Sequence, residues 1–314
     1  MTAIPPHPAP LHIAPLHIAQ LNVARLRAPI EHSSITEFRE ALAPVNAIAD
    51  AASGFVWRLQ TEAGDATAVQ MFDDPLTIVN LTLWQSIEAL RAFAYAGMHR
   101  DFLRRKAEWF SDLGRRSALW YVPGGQVPSV AEARERLEFL DAFGDSPYVF
   151  STARDRTALV VAEHPLGDHV AQQLITELNA DLRISSPEPG SNFFTLLPEQ
   201  VAPGAGAFVV AQLGGEPIGC GAVRLIEPHT AEIKRMYVRA GGRGSRIGTA
   251  IMHDLQRRAM HLGARRLVLE TGPRQHAALA LYARCGFTAC APWGEYLNSP
   301  TSLCFEKALG RLPS

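Results

Sequence analysis

No stretch of this chain stays apolar for the ~20 residues that a membrane-spanning helix requires, which argues against a transmembrane protein. The N-terminus, MTAIPPHPAP, has neither the basic start nor the apolar segment of a secretory signal, so the cytoplasm is the expected compartment. Cysteine is scarce: Cys220, Cys285, Cys290 and Cys304 all lie in the second half, with no C-x-x-C spacing. That pattern argues against a zinc knot and a disulfide framework and reads as small buried apolar side chains. An excess of one charge is missing too. Residues 1–150 carry 13 basic and 17 acidic side chains and the remainder 17 and 14, giving −4 and +3. The asymmetry is too small to imply nucleic acid but suits a small polyanionic ligand on the second half.

A length of 314 residues predicts two domains, each with a core of its own. Residues 1–15 are rich in proline and hold the tandem PLHIA PLHIA, in which His12 and His17 recur with His7 nearby. Five-residue spacing suits shared ligation on neither a helix nor a strand, so this segment reads as a flexible leader and no metal is expected. Leu16 to Leu26 reads as a strand, and SSITEFREAL opens a helix in which Ser34 and Glu37 have capping-box spacing and Phe38, Leu42 and Val45 form the stripe. GFVWRL, ATAVQMF and LTIVNLTLW read as strands. A second helix is expected from Ser86 to about Leu113, then the strand ALWYV and a helix with a capping box at Ser129 and Glu132.

The order β, α, β, β, α, β plus a trailing helix predicts a ferredoxin-like antiparallel sheet with helices on one face for residues 16–150. Trp84, Trp109 and Trp120 read as core, with a pocket for haem or an aromatic ligand near His99 as the competing reading. Asn22, Asn46 and Asn80 sit in apolar segments and are expected to satisfy buried backbone. In HIAQLNVARL, PVNAIADAASGFVWRL, VNLTLWQSIEALRAFAY and ALWYVPGG this half resembles an uncharacterised family of dimeric α/β-barrel domains related to antibiotic-biosynthesis monooxygenases. The resemblance implies a homodimer, and it leaves a cofactor-free monooxygenase or haem-binding role open.

The segment GDSPYVFSTARDRT has no periodicity, so a linker is placed at residues 151–156 and a second domain at 157–310. There ALVVAEHP reads as a strand, DHVAQQLITELNADL as an amphipathic helix, and GAFVVAQLGGEPIGCGAVRLI as a hairpin turning at Gly214 and Gly215. The stretch EIKRMYVRAGGRGSRIGTAI then crowds four glycines and four arginines between an alternating run and a run that repeats every four residues. A helix N-terminus offers unpaired backbone N–H groups and partial positive charge. Gly242, Gly244 and Gly248 let the backbone approach a diphosphate, and Arg243 and Arg246 add charge-assisted contacts.

With RRLVLET, HAALALYARCG and SLCFEKAL following, residues 157 to 309 resemble the Gcn5-related N-acetyltransferases, above all in MYVRAGGRGSRIGTAI and LYARCGF. The resemblance implies acetyl-CoA as co-substrate and a mixed-sheet α/β domain. By it, Met236, Tyr237 and Val238 match the strand that pairs with the pantetheine arm and polarises the thioester carbonyl. Arg243, Gly244, Ser245, Arg246, Ile247, Gly248 and Thr249 match the diphosphate loop, with Arg246 where glycine is common. Tyr282 matches the tyrosine that protonates the leaving thiolate, and Gln275 stands where many members have asparagine. Glu232 falls where some members carry their general base, needed because an amine is mostly protonated near neutrality.

Alternation puts Glu232, Lys234, Met236 and Val238 on one side of the strand. Glu270 is a second candidate for acceptor binding or base, and Tyr296, Asn298 and Ser302 lie where an acceptor pocket could close. The expected activity is direct acetyl transfer to a small-molecule amine, with no nucleic-acid or membrane partner. A non-catalytic acetyl-CoA sensor is the alternative.

Overall fold

Period-two burial decides the first unit of this computed structural model, which describes residues 15–95, 97–111, 117–153, 156–185 and 196–310. The predicted leader, with His7 and His12, therefore lies outside the described residues, as does the side chain of His99. By its contacts the chain divides into Met1–Ala158 and Leu159–Ser314.

In the first unit, β1 (Leu16–Leu26) is central. It pairs antiparallel with β3 (Thr77–Trp84) on one side and with β5 (Ser117–Pro123) and β4 (Phe110–Ser111) on the other, and β2 (Phe55–Arg58) lies outside β3. Ala19, Leu21, Leu81, Leu83, Ala118 and Trp120 share one buried face. Helix α4 (Val130–Phe143) joins it where Trp120 Nε1 donates to Glu132 Oε1 at 3.1 Å. On the opposite face aromatic clusters stand at the two ends: Trp84 with Phe55 and Phe93, and Trp109 with Phe38 and Phe102. These involve α1 (Thr36–Asp50), α2 (Ile87–Ala94) and α3 (Gly97–Arg105).

Local chemistry corrects several sequence expectations. ATAVQMF is not a strand, because the Asp65 carboxylate captures the Thr67 amide and hydroxyl at 2.8 and 2.6 Å and holds the chain in a turn. The helix expected from Ser86 ends at Ala94, and after α3 a 3₁₀ turn at Lys106–Glu108 brings Phe110 into register with Leu26. Ser34 does not cap α1: it lies in a 3₁₀ turn, and its amide donates to His32 Nδ1 at 3.2 Å. Ser129 does accept from the Glu132 amide, at 3.0 Å.

The second unit is a seven-stranded sheet, ordered β11–β12–β10–β9–β8–β7–β6. The strands are β6 (Leu159–Glu163), β7 (Gly206–Leu213), β8 (Glu216–Glu227), β9 (Thr230–Val238), β10 (Arg266–Thr271), β11 (Thr288–Ala289) and β12 (Leu303–Ala308). All ladders are antiparallel except β9–β10. Helix α5 (His169–Ser185) packs Ala171 and Leu174 on Phe208, Val210, Cys220 and Ala222. On the other face α6 (Ile247–His261) presses so closely that a Cβ on Gly221 would lie 2.8 Å from Ile251, Leu255 and Met236.

Two irregularities in β9 set the geometry at its C-terminal end. Between the pairs Ala222↔Lys234 and Cys220↔Tyr237 the strand carries an extra residue, and Arg235 takes the left-handed φ of 57°. This bulge swaps faces: Lys234 and Tyr237 lie on the α5 side, with Met236 on the α6 side. The expected single face for Glu232, Lys234, Met236 and Val238 is thereby broken. In addition, the β9–β10 ladder stops at Ile233↔Leu269, so Met236, Tyr237 and Val238 extend past their parallel neighbour.

Candidate functional site

Beyond Val238 the chain makes a 3₁₀ turn, Ala240–Gly242, and enters α6 through two left-handed residues, Gly244 at φ 82° and Arg246 at φ 62°. Glycine meets the first at no steric cost, whereas Arg246 adopts a conformation unfavourable for a residue with a Cβ. Among the described residues the turn leaves several amides without a partner in the chain. The first intrahelical donor is Ala250, to Arg246 O at 3.0 Å. Among the described residues the amides of Gly244, Ile247, Gly248 and Thr249 have no acceptor in the chain. With the α6 macrodipole behind them, amides of this kind suit an anion. Ser245 is exposed beside them, its amide 3.4 Å from Gly242 O.

Arginines of this stretch are mostly held by α5. Arg235 donates to Asn179 Oδ1 at 3.2 Å and Arg239 clasps Glu177 at 2.7 and 2.8 Å. Arg243 Nη2 pairs with Asp181 Oδ2 at 2.6 Å while its Nε donates to Val238 O at 2.9 Å. The side chain expected to meet a diphosphate thus brackets the loop against α5. Its pair is half exposed on both sides, at 53% and 46%, so its rearrangement is inexpensive.

Around the splayed strands lies a charge network that the sequence reading only partly anticipates. Glu232 is 1% exposed and accepts from Arg224 Nε at 2.7 Å and from the Tyr296 hydroxyl, with Lys234 Nζ 3.4 Å away. Lys234 in turn donates to Glu295 at 2.6 Å and to Tyr296 at 2.8 Å. Arg224 and Glu295 were not singled out by any motif; the register Arg224↔Glu232 across the hairpin is the signal that places the arginine there. Burial, then the Glu232 charge beside it, pushes the Tyr296 hydroxyl far up. Glu232, the expected base, is therefore enclosed by Arg224, Lys234 and the Tyr296 phenol.

Glu270, on β10, is different. It is half-buried, it accepts from Ser302 Oγ at 2.6 Å, and burial raises its pKa against the lowering effects of Ser302 and Lys234. Tyr282, on α7 (His276–Arg284), is 5% exposed; burial, then the Glu270 charge, lifts its pKa well above the usual phenol range. It stays protonated and can donate. Gln275 is the N-cap of α7, with no side-chain cap bond. Asn298 is exposed and joins none of these contacts, so of the three acceptor-pocket candidates only Tyr296 and Ser302 reach the carboxylates.

The C-terminal half is 36% identical over 151 residues to the IAA acetyltransferase of Azospirillum brasilense, a match spanning 48% of this chain and 97% of that protein. The chain belongs to the GNAT acetyltransferase family. A family model described as "Acetyltransferase (GNAT) family" matches residues 171–287 of this GNAT protein. The uncharacterized N-acetyltransferase YsnE of Bacillus subtilis is 27% identical over 147 residues, covering 46% of this chain and 97% of YsnE. A GNAT family acetyltransferase from Elizabethkingia anophelis, solved with acetyl-CoA bound, shows 21% identity over 48% of this chain and 98% of that one, at a TM-score of 0.36. The GNAT chain is an acyltransferase. Residues 17–164 match a domain of unknown function, DUF3291, so the resemblance to monooxygenase-related barrels gains no support. Among the described residues no helix is long and apolar enough to cross a membrane, and no cluster of His, Cys, Asp and Glu could hold a metal ion.

Proposed function

We propose that the second unit transfers an acetyl group from acetyl-CoA to a small-molecule amine by direct attack within a ternary complex. The observation that carries this reading is the set of unbonded amides at Gly244, Ile247, Gly248 and Thr249, at the positive end of α6 and just past the strand that outruns its neighbour. Acetyl-CoA supplies an activated acyl carbon and a diphosphate. The loop amides suit the diphosphate, and the backbone of Met236, Tyr237 and Val238 suits the extended arm of the co-substrate. Arg246 and Gln275 are second contacts to it.

Glu270 is the group we assign as base. A pKa raised by burial brings a carboxylate closer to neutrality, where it accepts a proton from an ammonium more effectively. As the amine nitrogen bonds to the acyl carbon, its proton passes to Glu270, the carbon–sulfur bond breaks, and the sulfur keeps the electron pair. Tyr282, held protonated, donates to that sulfur. Glu232, Lys234, Arg224 and Glu295 set the charge of the acceptor side and fix Tyr296.

The strand order β2–β3–β1–β5 supports a ferredoxin-like reading of the first unit, while homodimerisation and a cytoplasmic location are proposed from the sequence alone. Isothermal titration with acetyl-CoA followed by acetylated-product profiling over an amine library tests the central claim. Absence of heat at millimolar acetyl-CoA would overturn it, and product formation unchanged in Glu270→Gln would remove the base role from Glu270.

A further inference from the structure

The first unit holds a cavity of about 780 Å³ between its sheet and α1, within the range of small-molecule sites. Its floor is made where cross-strand pairing sets five polar side chains on one sheet face. Gln20 faces Thr82, Asn22 faces Asn80, and Ser117 stands across from Asn22 on the other neighbour. The roof is the stripe of α1, Phe38, Leu42 and Val45, whose members are only half-buried because the cavity lies beneath them.

On this face Gln20 and Asn22 are half-buried and Asn80 exposed, so their polar groups are open to water or to a ligand. The sequence leads one to expect Asn22 and Asn80 to satisfy backbone. They do not: among the described residues the side chains of Gln20, Asn22 and Asn80 make no hydrogen bond to the chain. Asn46, by contrast, reaches Gly64 O at 3.4 Å. Asn80 is exposed in the middle of a strand whose neighbours Val79 and Leu81 are at 4% and 0%. Each carboxamide presents two donors and an acceptor, so the floor offers a neutral donor–acceptor edge. Each of three charged lining residues has a partner: Arg58 donates to Asp50 and to Gly64 O, Arg27 donates to Ala107 O, and Asp65 accepts from Thr67. Lys106 is exposed.

We infer that this cavity is a binding site for an uncharged small molecule with an apolar body and an amide-like edge, read by Gln20, Asn22 and Asn80 and packed beneath α1. The inference is independent of the acetyltransferase reading, since every group it uses belongs to the first unit.

The test uses the full chain and a matched probe set: 1-naphthamide, 1-naphthoate, 1-naphthylmethylamine and 1-methylnaphthalene, followed by saturation-transfer NMR and calorimetric titration. 1-Naphthamide is expected to bind, with each of the other three at least about tenfold weaker, the scale of one or two hydrogen bonds. Asn22→Leu and Asn80→Leu should each weaken 1-naphthamide about tenfold while leaving the urea midpoint and the acetyl-CoA titration unchanged. Should a leucine variant fail to fold, Asn22→Ala and Asn80→Ala carry the same expectation. Equal binding of 1-methylnaphthalene, no binding of 1-naphthamide, or unaltered affinity in the asparagine variants would overturn the proposal. So would a change of mass by light scattering in those variants with no probe bound, which would make the cavity a subunit interface.

Discussion

Arg224 and Glu232 face each other across the β8–β9 ladder and meet as an ion pair at 2.7 Å, with Glu232 only 1% exposed. Removing one partner of such a pair leaves the other charge buried and uncompensated. Here Glu232→Ala leaves Arg224 and Lys234 to share Glu295, at 3.1 and 2.6 Å, so a loss of up to about 3 kcal/mol is expected in urea unfolding. Glu232→Gln, which keeps the acceptor oxygen, should lose less and retain the wild-type shape of the pH–rate curve. Loss of one limb of that curve in Glu232→Gln would return the base to this residue.

Glu270→Gln should lower kcat/KM by about 10²–10⁴ while leaving acetyl-CoA affinity unchanged. A base works ionised. Because burial raises the Glu270 pKa, the wild-type rate should climb with pH through a value above the ordinary carboxylate range, and the variant should lose that limb. Stability has the opposite sign: the folded state holds this proton more tightly, a contribution present below the ordinary pKa and lost as pH rises through the raised one. Urea midpoints of Glu270→Gln and wild type should therefore diverge in favour of the variant from pH 4 to pH 8.

Asp181→Asn releases Arg243 from its partner at 2.6 Å. Since an exposed pair is worth at most about 1 kcal/mol, the KM for acetyl-CoA should fall by no more than about fivefold, and less at high salt. A rise in KM would show that the bracket to α5 is what shapes the loop.

Alkylation offers a simple contrast. Burial raises all four thiols, Cys220 up to about 12 and Cys285 and Cys304 up to about 11, with Cys290 also shifted upward. The thiolate is the reactive form, so iodoacetamide at pH 7.5 should leave activity intact for hours in folded protein. In urea the same reagent should label all four.

Local periodicity was enough to read β1, β9, α6 and the strand–turn–helix entry, because each is governed by residues adjacent in sequence. What escaped is non-local or strained. Arg235 adopts a left-handed φ that favours glycine, so no alternation rule locates the bulge that turns Met236 away from Lys234. Glu295 reaches Lys234 across 61 positions, a contact only the folded sheet creates. ATAVQMF has a strand's composition, yet Asp65 diverts it through its side chain. Asn22 and Asn80 were visible as anomalies in apolar strands, but only their lack of partners gives the anomaly a meaning.

The β9–β10 ladder ends at Ile233↔Leu269, and the gap beyond it is made by two strands parting rather than by a hinged segment. Its aperture is consequently as stiff as the pairing that frames it: narrowing or widening the slot would mean shearing the β8–β9 and β10–β12 registers on either side. Such a cleft behaves as a fixed mould. If the proposed acceptor enters here, its selection rests on shape and charge at first contact, with little binding energy diverted into rearranging the protein.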